Sequence, residues 1–132
     1  MKKRSILLIE DDADNRHLVR FMLEQEGYEV IEAFDGRDGL EKAKKIMPDL
    51  VLLDMSIPEI DGWKLASQLK KDEITHSLCV VALTGHTMAG DRQRALDAGC
   101  DGYISKPLDV HRFASQVLAF FDQPIENEEE IE

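Results

Sequence analysis

The residues of this chain whose types and spacing could do chemistry fall at four separated points: Glu10-Asp11-Asp12, Asp54, Thr84 and Lys106. They supply carboxylates, a hydroxyl and an ammonium group. Each follows or closes a short run with strand character: Ile6-Leu7-Leu8-Ile9, Leu50-Val51-Leu52-Leu53, Cys79–Leu83 and Gly102–Ser105. If those runs are parallel strands of one sheet, all four points lie on its carboxyl edge, where ligands bind in open α/β sheets. Carboxylates ~4 Å apart repel by about 4 kcal/mol per pair at an effective dielectric near 20. A cluster of them takes up protons or recruits a cation. No His or Cys accompanies them at ligand spacing. All-oxygen ligation selects a hard ion, and Mg²⁺ is the usual one where phosphate is handled. A metal that neutralises phosphoryl oxygens, a lysine that pairs another and a hydroxyl that donates to a third are the parts of a phosphoryl-transfer site. The attacking group would be the Asp54 carboxylate, giving an acyl phosphate. Taken singly, each residue has a plainer role. Asp12 reads as a helix cap, Thr84 can end a strand, Lys106 can be solvated and Asp54 can cap a turn. Their joint placement is what favours chemistry.

Those points need a scaffold, and its centre is Leu50–Pro58, LVLLDMSIP. The apolar run has no polar alternation, as suits a strand covered on both faces, and Pro58 stops regular pairing. Ile6–Ile9 reads as a first buried strand. The helix after it is capped by Asp12, has Leu18, Phe21 and Met22 as its apolar face and stops at Gly27. Tyr28–Ala33 is a second strand, and Asp35-Gly36 turns the chain into a helix using Leu40, Ala43 and Met47, which Pro48 ends. Beyond Asp61-Gly62, Leu65, Ala66 and Leu69 mark a third helix. A fourth strand, Cys79–Leu83, precedes a helix over 88–98 whose apolar face is mainly Ala89, Ala95, Leu96 and Ala98, with Gly99 at its end. Such small side chains bury little area, so this helix is expected to be held less firmly than the others. Gly102–Ser105 is a short fifth strand, and the last helix starts near Asp109 and buries Phe113, Val117 and Phe120. Strand–helix units repeated five times demand parallel strands and right-handed crossovers. The expected fold class is α/β, a doubly wound five-stranded parallel sheet with helices on both faces.

Composition excludes several other classes. The 132 residues make one domain, and 43% apolar content is ordinary for a globular chain with a real core. No apolar run approaches the roughly 20 residues of a membrane helix. The basic start, Met1 to Arg4, leads only into Ser5–Ile9, too short for a signal-peptide core, so a cytoplasmic location without membrane insertion is expected. A net charge of −11 argues against direct nucleic-acid binding. Part of that charge lies after Pro124, so residues 123–132 are expected to be an acidic tail without structure, and 4–122 the folded domain. Cys79 and Cys100 have no metal or redox spacing and read as reduced thiols in or near the core.

The spacing of Glu10-Asp11, Asp54, Thr84 and Lys106-Pro107 resembles the receiver domain of bacterial two-component response regulators. The resemblance covers residues 4–122 and extends to Pro58, Gly62, Gly99 and Tyr103. It implies a flavodoxin-like (βα)5 fold of strand order 2-1-3-4-5. It also implies a single-domain regulator that accepts a phosphoryl group on Asp54 from a sensor histidine kinase or a histidine phosphotransfer protein and signals to a downstream protein target. No separate substrate turnover is expected. By the same resemblance, Asp11 and Asp54 bind Mg²⁺ directly, together with the backbone carbonyl of Ser56, while Glu10 acts through water. Mn²⁺ can substitute. Thr84 and Lys106 hold phosphoryl oxygens, Tyr103 is the switch aromatic that follows Thr84, and the Lys106–Pro107 bond is cis. Phosphorylation adds roughly −1.5 to −2 charge, which would draw Thr84 and Lys106 inward and bias two packings of the fourth helix.

Ser56 and His86 lie two residues after Asp54 and Thr84, where side chains can influence water attack on an acyl phosphate. His86 is expected to cover that approach; the plainer reading is an ordinary surface histidine. The stretch from Thr84 to Lys106 also resembles receivers attached to hybrid kinases, so traffic in a phosphorelay is a further expectation. Two enzyme and carrier classes fit less well. An Asp-nucleophile hydrolase of the haloacid dehalogenase type needs an aspartate where this chain has Ser56. A flavodoxin-type carrier needs a phosphate loop after the first strand, where Glu10-Asp11-Asp12 would repel phosphate. A receiver-like interaction module that works without phosphorylation is the remaining alternative; the intact acceptor and lysine argue against it.

Overall fold

A computed structural model of the chain describes residues 3–55, 62–84, 89–105, 109 and 111–130. Five strands, β1 (Ser5–Ile9), β2 (Glu29–Ala33), β3 (Leu50–Asp54), β4 (Cys79–Thr84) and β5 (Gly102–Ser105), alternate with helices α1 (Ala13–Gln25), α2 (Gly36–Ile46), α3 (Gly62–Lys71), α4 (Ala89–Asp97) and α5 (Phe113–Glu130). All strands pair in parallel, in the order β2-β1-β3-β4-β5. The expected doubly wound sheet is therefore the observed one.

Strand alternation sends side chains to two separate cores. Leu7, Ile9, Val51, Leu53, Val80 and Ala82 meet Ala43 of α2, Leu65, Ala66 and Leu69 of α3 and Ala95 of α4. Ile6, Leu8, Leu50, Leu52, Val81 and Leu83 meet Val19, Met22 and Leu23 of α1 and Phe113 and Val117 of α5. Every residue of β3 is buried, because β3 is covered on both faces. That is why its sequence shows no polar alternation.

The helix ends follow local chemistry. Asp12 caps α1, its side chain accepting from the Asn15 N–H at 2.9 Å, and Asp35 caps α2 by accepting from the Asp38 N–H at 2.8 Å. Gly27, at φ 94°, adopts the left-handed conformation that lets the chain leave α1.

Several expectations need correction. Leu18 and Phe21 are 50% and 59% exposed; the buried face of α1 is Val19, Met22 and Leu23. Both stripes have helical spacing, and only the position of the sheet decides between them. Met47 lies beyond α2 as its left-handed C-cap, exposed rather than packed. In α4, Ala95 is buried while Leu96 is exposed, so the face is even smaller than expected. The last helix begins at Phe113 rather than near Asp109; the Asp109 carbonyl accepts from the N–H groups of Arg112 and Phe113. α5 spans Phe113–Glu130.

Candidate functional site

The parallel register delivers the acidic residues to one edge. Ile9 is in register with Leu53, Asp54 with Leu83 and Thr84 with Ser105. Glu10 immediately follows β1, and Asp54 and Thr84 are the last residues of β3 and β4. Their burial is nearly complete, at 1%, 2% and 2% exposed, whereas Asp11 is exposed. One carboxylate oxygen from each of Glu10, Asp11 and Asp54 lies within 4.8 Å of the others. Mg²⁺ binds oxygen at about 2.1 Å, so ligands on opposite sides of the ion stand about 4.2 Å apart. Separations of this size let the triad hold a single hard cation. An all-carboxylate set, two of its members withdrawn from solvent, also gives a cation an electrostatic role that nothing neutral could fill.

The loop bearing these acids is fixed from several sides. The Glu10 N–H donates to the Ala33 carbonyl at 3.0 Å, and the Asp12 N–H donates to Glu10 Oε2 at 3.2 Å. Arg16, one turn into α1, donates from Nη1 to the Glu10 carbonyl at 3.0 Å and from Nε to Glu32 Oε1 at 2.9 Å. Arg20 donates to the other Glu32 oxygen at 2.8 Å. Sequence reading missed Arg16 and Glu32. The one signal available was an arginine a helical turn beyond the Asp12 cap.

The hydrogen bond from Arg20, helped by Arg16 against the opposing effect of burial, holds the Glu32 carboxyl below its ordinary value of 4.5. A depressed carboxylate contributes stability that is fully present above its unfolded value and lost as pH falls through the folded one. Wild type is thus expected to exceed Glu32→Gln by about 1 kcal/mol at neutral pH, as charge-assisted bonds at a partly exposed site contribute. In urea titrations the gap should close as the medium is acidified below 4.5. A gap that persists in strong acid would contradict this.

Asp12 caps α1, as its sequence position predicts, and has no place in the triad. Tyr103 is half-buried, in register with Ala82, and packs on the core shared by α2, α3 and α4. Gly62 opens α3 tight against Met55, where an added Cβ would stand 2.8 Å from the Met55 Cα. Trp63 beside it carries the Arg94 guanidinium 4.7 Å over its ring, linking α3 to α4. Ser56, Pro58, His86, Lys106 and Pro107, with the expected cis bond, lie outside the described residues. Cys79 and Cys100 are free thiols, each pushed up to about 11 chiefly by burial. They stay protonated at neutral pH and take no part in the site.

An acid trio at the carboxyl edge of a 2-1-3-4-5 sheet, two of its members buried, agrees with the sequence relationships. The chain belongs to the response regulator receiver domain family, whose sequence profile matches residues 6–118. Among curated proteins, the polar-differentiation response regulators DivK of Brucella ovis and Brucella abortus are 37% identical to it over 117 residues, covering 89% of this chain and 95% of theirs. Among solved structures, a CheY-like receiver domain protein from Methanospirillum hungatei superposes with a TM-score of 0.85 at 26% identity, covering 96% of this chain and 99% of the other. The receiver domain of a signal transduction histidine kinase from Syntrophus aciditrophicus gives 0.82 at 29% identity, covering 91% of each. Receiver domains are phosphoacceptors rather than enzymes acting on a separate substrate, and they interact with histidine kinases and histidine phosphotransfer proteins. This chain is a single receiver domain with an acidic triad suited to Mg²⁺-dependent phosphoacceptance. Among the described residues no helix is long and apolar enough to cross a membrane.

Proposed function

We propose that Asp54 is the phosphoacceptor and that the ion at the triad is Mg²⁺, with Mn²⁺ able to replace it. The carrying observation is the convergence of Glu10, Asp11 and Asp54 within 4.8 Å, although Asp54 is more than forty residues away in the chain. Asp11 and Asp54 would hold the ion directly with the Ser56 carbonyl, and Glu10 through water. When bound, the ion neutralises the charge that carboxylate and phosphoryl oxygens would otherwise bring together.

An Asp54 carboxylate oxygen attacks the phosphorus of a phosphohistidine. The new O–P bond forms as the P–N bond breaks, and the departing imidazole takes the bonding pair and then a proton. Thr84, whose hydroxyl stands at the end of the neighbouring strand, donates to a phosphoryl oxygen, and the Lys106 ammonium pairs another. The added charge draws Thr84 inward, vacating space that Tyr103 enters. Because α4 has little apolar area to hold it, it is the element this packing change displaces. The donor is a sensor histidine kinase or a histidine phosphotransfer protein, the acceptor of the signal is a downstream protein, and the setting is the cytoplasm. The folded unit proposed for this role is residues 4–122.

Incubating the protein with Mg²⁺ and a small phosphodonor, followed by peptide mapping of the hydroxylamine-sensitive modification, tests the reading. Label on Asp54 is expected; label elsewhere overturns it. His86 is proposed to shield the acyl phosphate from water, so His86→Ala should lose its phosphoryl group faster than wild type. Equal decay of phosphate from the two proteins would remove that role.

A further inference from the structure

Arg16 holds the acidic loop without touching the triad's carboxylates through any bond described. Its Nη1 donates to the Glu10 carbonyl and its Nε to Glu32, while the Lys42 Nζ of α2 donates to the Glu32 carbonyl at 2.6 Å. The Glu10 peptide is thereby gripped in both directions, its N–H by Ala33 and its carbonyl by Arg16. The side chains of Arg16 and Glu32 are only 16% and 19% exposed, so their bonds are partly shielded from competing water.

Resting on the reading of the triad as a Mg²⁺ site, we propose that Arg16, braced by Glu32, is a positioning residue for that site. It orients the Glu10–Asp11 peptide so that both carboxylates face Asp54. The sign of its effect separates this from a charge effect. A cation near a divalent-ion site opposes binding by Coulomb repulsion, so removing it would tighten Mg²⁺ binding if charge were its whole influence. Loss of positioning weakens binding instead. A guanidinium also serves two acceptors from one rigid plane, which a lysine ammonium does not reproduce.

The test is calorimetric titration of Mg²⁺ into the full chain as wild type, Arg16→Gln, Arg16→Lys, Glu32→Gln and Asp11→Asn, with urea unfolding in the absence of Mg²⁺. The Kd for Mg²⁺ is expected to rise about tenfold in Arg16→Gln, in line with other groups that orient metal ligands. A comparable rise is expected in Arg16→Lys and a smaller one in Glu32→Gln, each protein still unfolding cooperatively. Unchanged or tighter binding by Arg16→Gln overturns the inference, as does wild-type affinity in Arg16→Lys. Should Arg16→Gln not fold, wild-type affinity in both Arg16→Lys and Glu32→Gln overturns it. Wild type that binds Mg²⁺ and loses it in Asp11→Asn, with the Arg16 variants unaffected, refutes the positioning role alone. Wild type that binds no Mg²⁺ refutes the site reading and this inference together.

Discussion

Asp54→Asn is expected to accept no phosphoryl group while being more stable than wild type. The amide matches the carboxylate in shape, yet it is a poor nucleophile and carries no charge. Intact mass after exposure to Mg²⁺ and a small phosphodonor should show phosphate on wild type and none on the variant. Stability should move the other way. Asp54 is 2% exposed and shares its pocket with Glu10 and Asp11, so removing its charge relieves repulsion within the triad. Functional sites store instability of this kind, and releasing it adds about 1–2 kcal/mol. Urea unfolding without Mg²⁺ measures that gain. Adding Mg²⁺ should stabilise wild type more than the variant, because a ligand stabilises the folded state in proportion to its affinity. A phosphorylated variant, or one less stable than wild type without Mg²⁺, would count against the assignment.

Phe113→Ala is expected to be the most damaging core substitution outside the site. Phe113 is 0% exposed at the start of α5 and packs in the cluster with Leu83, Ile104 and Val117. Emptying such a position costs about 3–5 kcal/mol, from lost transfer energy and the cavity left behind. That is a large part of the stability of a domain this size. Phe21→Ala provides the contrast, since Phe21 is 59% exposed and its loss should change stability by only about 0.5 kcal/mol. Urea denaturation of both variants checks the pair. Equal costs would mean that the packing on the two helices has been assigned wrongly.

The two phenylalanines show where sequence reasoning succeeds and where it stops. Phe113 has the apolar spacing of a buried helix face, and so does Phe21 with Leu18. Helical periodicity identifies a stripe but does not say which of two overlapping stripes meets the sheet. For α1 the answer is Val19, Met22 and Leu23, which share one core with Ile6 and Leu8 of β1 and Val30 of β2. The strands were easier to read. Ile6–Ile9 and Leu50–Leu53 are continuous apolar runs because parallel strands are covered on both faces, a requirement written into each run by itself.

The sequence by itself determined the alternation of strands and helices, the parallel sheet that such alternation requires, and the placing of Glu10, Asp11, Asp54 and Thr84 at strand ends. All of these follow from chemistry local to a few residues, and from one rule of handedness that limits how successive strands can join. Tertiary structure alone decided how near the three carboxylates come, how deeply Asp54 and Glu10 are withdrawn from water, and that Arg16 and Glu32 brace the loop behind them. Those features depend on contacts between residues far apart in the chain. An isolated arginine or glutamate in a sequence bears no mark of the partner that folding will bring to it.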